Sequence, residues 1–412
     1  MKNISQLQEE YRAVQAKRLK LDMSRGKPGA DQLALSDDLL DARWVTPARD
    51  ETGFDCRNYG LPGGIPEARR LFAQLLEVPA DWVLAGGNAS LNIMFDYLAQ
   101  CILLGAGGEP WSKQRLPPCG QGGVKFLCPV PGYDRHFGVL ELLGIEMVNV
   151  PMLADGPDMD QVEALAQDPA VKGLICVPKY SNPEGKTFSD AVVRRFASMK
   201  TAAEDFRVIW DNAYLVHDLY DETDQLLNVF EAAKEFGAED RFIEVASFSK
   251  ITFPGAGVSC VAASPANIKQ IMKRVGMQTI GPDKLNQLRH ARYFKDLAGI
   301  KAHMQKHAAI LRPKFEAVLE ILARELSDIA TWTAPRGGYF ISLDLPAGCA
   351  KRTAQLCQEA GVALTPAGAP FPCGIDPEDR NIRIAPTFPP IAELVAATEL
   401  LCVCAQMAAQ EA

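Results

Sequence analysis

Long unbroken apolar runs are few in the 412-residue sequence, and stretches such as Val139 to Val150, interrupted by Glu141 and Glu146, read as too short to span a bilayer. The N-terminal MKNISQLQEEYRAVQAKRLK is polar and helix-like, without the apolar centre of a signal peptide. A cytoplasmic protein, with no membrane partner, is the expectation. Positive charge is also short, with 43 Lys plus Arg against 51 Asp plus Glu and a formal net charge of -8. That balance disfavours nucleic acid as a partner, though it leaves room for a local basic pocket. The eleven cysteines include no CxxC pair and sit near no histidine cluster, and an odd number suits neither a closed disulfide framework nor a zinc site. Reduced thiols filling small core positions, and no metal, are expected. Repeats and low-complexity tracts are absent too. What remains is an ordinary globular composition, 48% apolar and 23% charged. The length exceeds what one core supports, so a larger and a smaller domain are expected.

Short apolar runs that read as buried strands recur at Val124 to Pro129, Gly173 to Val177, Arg207 to Trp210, Phe242 to Ala246 and Gly257 to Ala262. Helical patterns lie between them, at Asp134 to Leu143, Met159 to Gln167, Ser189 to Ala202 and Leu226 to Phe236. Strand and helix in alternation imply an α/β fold with a mostly parallel sheet sandwiched by helices. Beyond Pro265 the pattern turns to long helices, Ala266 to Met277 and Pro282 through Leu326. The final part reads as strand (Gly338 to Leu343), helix (Arg352 to Ala360), strand (Asn381 to Ala385) and a terminal helix from Ile391, which suits a smaller α+β domain. The expected division is a segment 1–45 packing on the small domain, a large domain 46–300 and a small domain 301–412.

Four motifs sit at strand exits. Ser247-Phe248-Ser249-Lys250 follows the run Phe242 to Ala246. A lysine there either snorkels to the surface or, desolvated, becomes an amine that captures an aldehyde. Asp211-Asn212-Ala213-Tyr214 follows Val208-Ile209-Trp210. Its aspartate either opens a turn or faces a ring nitrogen that must stay protonated, with Tyr214 in reach of a ring oxygen. Ser181-Asn182-Pro183-Glu184-Gly185 is a good turn on structural grounds alone, yet the Asn182 amide can also bond a ring oxygen and a carboxylate. Gly86-Gly87-Asn88-Ala89-Ser90 precedes the helical Leu91 to Cys101, and open N–H groups at a helix start favour a phosphate.

In this order the motifs resemble those of the fold-type I pyridoxal-phosphate aminotransferases, over nearly the whole chain from Leu21 to Pro389. The resemblance implies a seven-stranded-type sheet carrying pyridoxal 5'-phosphate, with ligands at the carboxyl ends of its strands. It makes Lys250 the Schiff-base lysine and proton shuttle, Asp211 the pyridinium partner, and Tyr214 and Asn182 the ligands of the ring oxygen. Tyr133, in Pro131-Gly132-Tyr133-Asp134-Arg135-His136, would stack on the ring, and His136 would support the aspartate. Asn58-Tyr59-Gly60 resembles the segment that sends a tyrosine across a dimer interface to the partner's phosphate, which implies a homodimer with shared active sites. Asn381-Ile382-Arg383-Ile384-Ala385 resembles the strand whose arginine grips the substrate α-carboxylate. Arg25-Gly26-Lys27-Pro28 resembles the mobile segment that closes over substrate, bringing Gly26 to it. The family's phosphate-pairing arginine, eight residues past the lysine, is Val258 here, leaving Ser247, Ser249, the Asn88 to Ser90 amides and Tyr59 as donors. That departure is similar to a divergent subgroup, the MocR-type aminotransferases.

The function so implied is transfer of an amino group between an L-amino acid and a 2-oxo acid by a ping-pong mechanism, with aspartate and 2-oxoglutarate the leading pair. Alanine with glyoxylate, or an aromatic or 2-aminoadipate donor, comes next. A second cation for an acidic side chain could be Arg25, Arg274, Arg289 or Arg336. A lyase or decarboxylase would use the same lysine, aspartate and arginine. A transcription regulator with an aminotransferase-like domain needs a winged helix-turn-helix ahead of Arg25, and only a short helix precedes it.

Overall fold

The computed structural model describes residues 2–18, 20–114 and 123–411. Its strands, in chain order, are β1 (Leu21–Asp22), β2 (Val83–Ala85), β3 (Lys125–Val130), β4 (Glu146–Leu153), β5 (Gly156–Pro157), β6 (Val171–Cys176) and β7 (Arg207–Asp211). They continue with β8 (Phe242–Ser247), β9 (Ser259–Ala263), β10 (Thr331–Trp332), β11 (Ile341–Asp344), β12 (Val362–Ala363) and β13 (Asn381–Ile384). The main sheet has the order β2-β9-β8-β7-β6-β3-β4-β5. Five neighbours, β8, β7, β6, β3 and β4, run parallel, β9 opposes both β8 and β2, and the two-residue β5 folds back on β4. This is the expected α/β architecture, seven strands plus a short edge.

Parallel strands covered on both faces carry no polar alternation, and every residue of β6 and β7 is buried. Trp210 on β7 meets the edges of Phe188, Phe196 and Phe242, at centroid distances of 5.7, 5.8 and 6.1 Å. That aromatic cluster fixes the strand one residue before Asp211. After β3 the chain moves outward to β4, then returns to place β6 on the other side of β3. The strand order therefore reverses between β3 and β6, the position where open α/β sheets leave a crevice at their carboxyl ends.

One expectation needs correction. The single helix foreseen over Pro282 to Leu326 is two, Lys284–Phe294 and Leu297–Leu326. Lys295 takes a φ of 66° and the Asp296 side chain accepts from Gly299 N, so a new helix is capped where helical spacing alone suggested continuity. The helix expected over Asp134 to Leu143 is found at Asp134–Leu142; Gly144, φ 69°, follows it and leads into β4, a strand the apolar pattern did not reveal.

The remaining elements form a second body of core. β10, β11 and β13 make an antiparallel sheet, and β1 from the N-terminal region pairs with β12. Helix Ile4–Gln15 docks here through Tyr11, whose hydroxyl donates to Leu356 O at 3.0 Å. The terminal helix Ile391–Glu411 is long and apolar enough to cross a membrane by length and composition, yet 67% of that window is buried against the rest of this unit. Residues 30–36 turn instead toward helix Leu297–Leu326, with Gln32 Nε2 3.0 Å from His307 Nδ1 and Ser36 Oγ 3.2 Å from His303 Nε2.

Candidate active site

Strand ends deliver the four motifs to one region. β8 runs out at Ser247, and the turn after it presents Lys250, whose Nζ lies 2.9 Å from Tyr214 Oη. Burial pushes the Lys250 amine below the ordinary lysine range, which favours its neutral, nucleophilic form. The same burial pushes the Tyr214 hydroxyl up, so it stays protonated. Tyr339 holds the lysine backbone from the far side, donating to Lys250 O at 3.3 Å and accepting from Gln32 Nε2 at 3.1 Å.

Asp211 closes β7 and is almost wholly buried. Its Oδ2 sits 2.9 Å from His136 Nε2, while Oδ1 is buried without a hydrogen-bond partner. A buried carboxylate oxygen left open is costly unless something else meets it, and its charge acts on Lys250 and Tyr133. Tyr133 stands edge-on to His136 at 4.9 Å. The carboxylate thus has one oxygen fixed by imidazole and the other without a hydrogen-bond partner, near enough for its charge to act on the amine of Lys250.

The glycine turn after β2 is held by backbone bonds to β9: Gly86 N to Ser259 O at 2.9 Å and Ser259 N to Gly87 O at 3.1 Å. Gly87 needs its positive φ of 71°, which a side chain would disfavour. Helix Ser90–Leu104 starts at Ala89 with no side chain capping it, so its first N–H groups are open to an anion. Ser249 Oγ donates to Asn88 O at 2.8 Å, which ties the turn to the lysine loop. Val258, by contrast, is core, and its carbonyl accepts from Phe248 N at 2.8 Å.

From the second body of core, β13 brings Arg383 to the same crevice. Its Nη1 donates to Asp134 Oδ1 at 2.7 Å and to Asn182 Oδ1 at 3.1 Å, and its guanidinium lies 4.9 Å from the Phe340 ring centroid. Gly26 is pressed on that same ring, where an added Cβ would come within 2.3 Å of Phe340. Thr365 links the two, donating to Ser24 O at 2.6 Å with its Oγ1 3.4 Å from Arg383 Nε. The charges of Asp211 and Arg383 therefore both act on the Lys250 amine, and the uncapped helix start is tied to the lysine loop through Ser249 and Asn88.

The family profile described as aspartate amino-transferase matches residues 2–412. The chain belongs to the aspartate aminotransferase family. It is 50% identical to a putative aminotransferase of Mycolicibacterium smegmatis, over 98% of this chain and 95% of that one. It is 47% identical to an aspartate aminotransferase of Corynebacterium glutamicum, over 98% of this chain and 93% of the relative. The crystal structure of a putative aminotransferase from Corynebacterium diphtheriae superposes with a TM-score of 0.95 at 49% identity, covering 99% of this chain and 100% of that one. The protein is thus an aminotransferase.

One residue that the motifs singled out stands apart in this aminotransferase: Tyr59 is 75% exposed and bonds none of the site residues within the chain. Ser247 and Ser90 are half-buried and make no side-chain hydrogen bond among the described residues. Of the four candidate cations, Arg274 pairs with Asp96 and Arg336 with Glu222 and Asp224, whereas Arg25 and Arg289 have no carboxylate partner among the described residues. Arg289 Nη2 donates to Asn286, which itself donates to Ala256 O and Gly257 O in the lysine loop, and Arg289 Nε is buried unpaired. Tyr339, Thr365 and Phe340 were not legible as site residues. Gly337-Gly338 ahead of Tyr339-Phe340 was the available signal, because a Cβ on Gly337 would come within 2.2 Å of the Tyr180 ring.

Beside Asp211, Asn212 Nδ2 donates to Glu244 Oε1, and burial pushes the Glu244 carboxyl up to about 8. With its folded-state pKa raised, Glu244 favours the fold fully below about pH 4.5. That contribution fades as pH rises through 8, because the unfolded chain ionises and the buried group does not. Glu244→Gln keeps an acceptor for Asn212 and removes the titration. The variant is expected to gain on the order of 3 kcal/mol over the parent at pH 8 and almost nothing at pH 4. Denaturant melts at the two pH values check this; equal differences at both would contradict it.

Proposed function

We propose that the protein is a pyridoxal-phosphate-dependent aspartate aminotransferase that passes the amino group to 2-oxoglutarate by a ping-pong mechanism. The observation carrying this reading is the buried, unpartnered Oδ1 of Asp211, whose charge acts on the desolvated amine of Lys250. Pyridoxal phosphate, when bound, supplies an aldehyde for the amine and an electron-withdrawing ring. In this assignment Asp211 faces the ring nitrogen, braced by His136, and Tyr214 and Asn182 serve the ring oxygen. Tyr133 covers the ring face. The amides of Asn88, Ala89 and Ser90, with Ser247 and Ser249, take the phosphate at the uncapped helix start. Lys250 is the covalent attachment point, then takes the substrate α-proton and returns it, with Tyr214 Oη holding the amine in place.

Arg383 and Asn182 take the α-carboxylate, and Gly26 closes against the same ring as the guanidinium. The side-chain carboxylate of aspartate falls to Arg25 or Arg289, the two cations lacking an acidic partner. Removing the one that serves it raises KM for aspartate and leaves KM for alanine unchanged. We further assign a homodimer in which Tyr59 of the partner subunit completes the phosphate site. Supporting it, Tyr59, Met277 (88% exposed) and Ile280 (63%) crowd one surface. There Gly60 N bonds Ile280 O, beside a cavity of about 370 Å³ lined by Pro62, Leu84, Ile93 and Ile271 together with the Arg274–Asp96 pair. A panel of amino donors with 2-oxoglutarate tests the substrate assignment: aspartate is expected to show the highest kcat/KM. An aromatic or aliphatic donor ahead of it would contradict the choice of substrate, and release of a 2-oxo acid without glutamate formation would favour a lyase.

A further inference from the structure

Arg383 is only 6% exposed, so its charge needs a partner in every state of the enzyme. In the resting protein that partner is Asp134, and nothing in the motif order gave Asp134 a part. Both hydrogens of Nη1 are engaged, one by Asp134 Oδ1 at 2.7 Å and one by Asn182 Oδ1 at 3.1 Å. Nε meets Thr365 Oγ1 at 3.4 Å, and Nη2 makes no hydrogen bond among the described residues. A carboxylate gripped by both terminal nitrogens needs an Nη1 hydrogen beside an Nη2 hydrogen. One present occupant has to leave. Asn182 is 3% exposed and lies in a buried turn after β6. Asp134 is 32% exposed and stands in the first turn of helix Asp134–Leu142. There a carboxylate is favoured by the open N–H groups even after it releases the arginine.

We infer that Asp134 is a resident competitor for the substrate carboxylate, balancing the charge of Arg383 and orienting its guanidinium until substrate displaces it. The exchange is one carboxylate for another, so the buried guanidinium is never left unpaired. It follows that the enzyme binds its substrates more weakly than the arginine alone would allow, and that small carboxylates are turned away when they cannot outbid Asp134. This inference rests on the reading of Arg383 as the α-carboxylate grip.

The test is calorimetric titration of succinate, a dicarboxylate without an amino group, into the cofactor-loaded enzyme and into Asp134→Asn. The variant is expected to bind succinate about tenfold more tightly, the ratio that corresponds to about 1.4 kcal/mol. Asp134→Ser, which can still bond the helix N–H groups, is expected to do the same, and a thermal melt confirms that both variants fold. Unchanged or weaker binding in the two folded variants overturns the inference and leaves Asp134 as a scaffold for the arginine. Arg383→Ala provides the separate control. If it binds succinate as well as the parent does, the underlying reading of Arg383 fails, whatever Asp134 does.

Discussion

Lys250→Ala is expected to lower kcat by on the order of 10⁴-fold or more, the scale for losing a positioned proton-transfer group that is also the covalent attachment point. Stability should change little, because the side chain makes one hydrogen bond, to Tyr214 Oη at 2.9 Å, while the loop around it is held by Tyr339 on the Lys250 carbonyl and by Thr252 Oγ1 on Phe248 O. Lys250→Arg separates the amine from its charge. A guanidinium remains protonated at all working pH values and can neither condense with an aldehyde nor accept the α-proton, so the arginine variant should be as inactive as the alanine one. Single-turnover kinetics with aspartate measure both. Substantial activity in Lys250→Arg would show that only the positive charge mattered.

Asp211→Asn carries the second large effect. The substitution is nearly isosteric and retains an acceptor for His136, but it removes the negative charge behind the open Oδ1. Loss of a preorganised electrostatic stabiliser costs on the order of 10²–10³-fold in kcat. We expect that loss with the cofactor still held by Lys250 and the helix start at Ser90. Asp211→Glu should recover part of it, since the charge returns at a displaced position. Comparable losses in the asparagine and glutamate variants would mean that shape, not charge, sets the requirement.

How much of this the sequence disclosed depends on the physics behind each feature. The central strands were visible because a strand covered on both faces must be a continuous apolar run, as β6 and β7 are. Edge elements were not. β4 has exposed and half-buried positions and a proline, so nothing in it resembles a buried run. The break at Lys295 depends on one backbone angle and one capping aspartate, local events that helical periodicity passes over. The site follows the same division. Lys250, Asp211, Asn182 and Asn88 to Ser90 were legible because each follows a strand, and strand ends in such sheets converge. Partners that reach the cleft from distant segments left no spacing to read: Asp134 on Arg383, Tyr339 on the Lys250 carbonyl and Gln32 on Tyr339.

The central claim is that the Lys250 amine is where the aldehyde cofactor is attached. Borohydride reduction of the protein saturated with pyridoxal phosphate, followed by proteolysis and mass spectrometry, reads that attachment directly. The account predicts a single stoichiometric adduct on the peptide containing Ser247-Phe248-Ser249-Lys250. An adduct on another lysine, or scattered substoichiometric labelling with Lys250 unmodified, would contradict it.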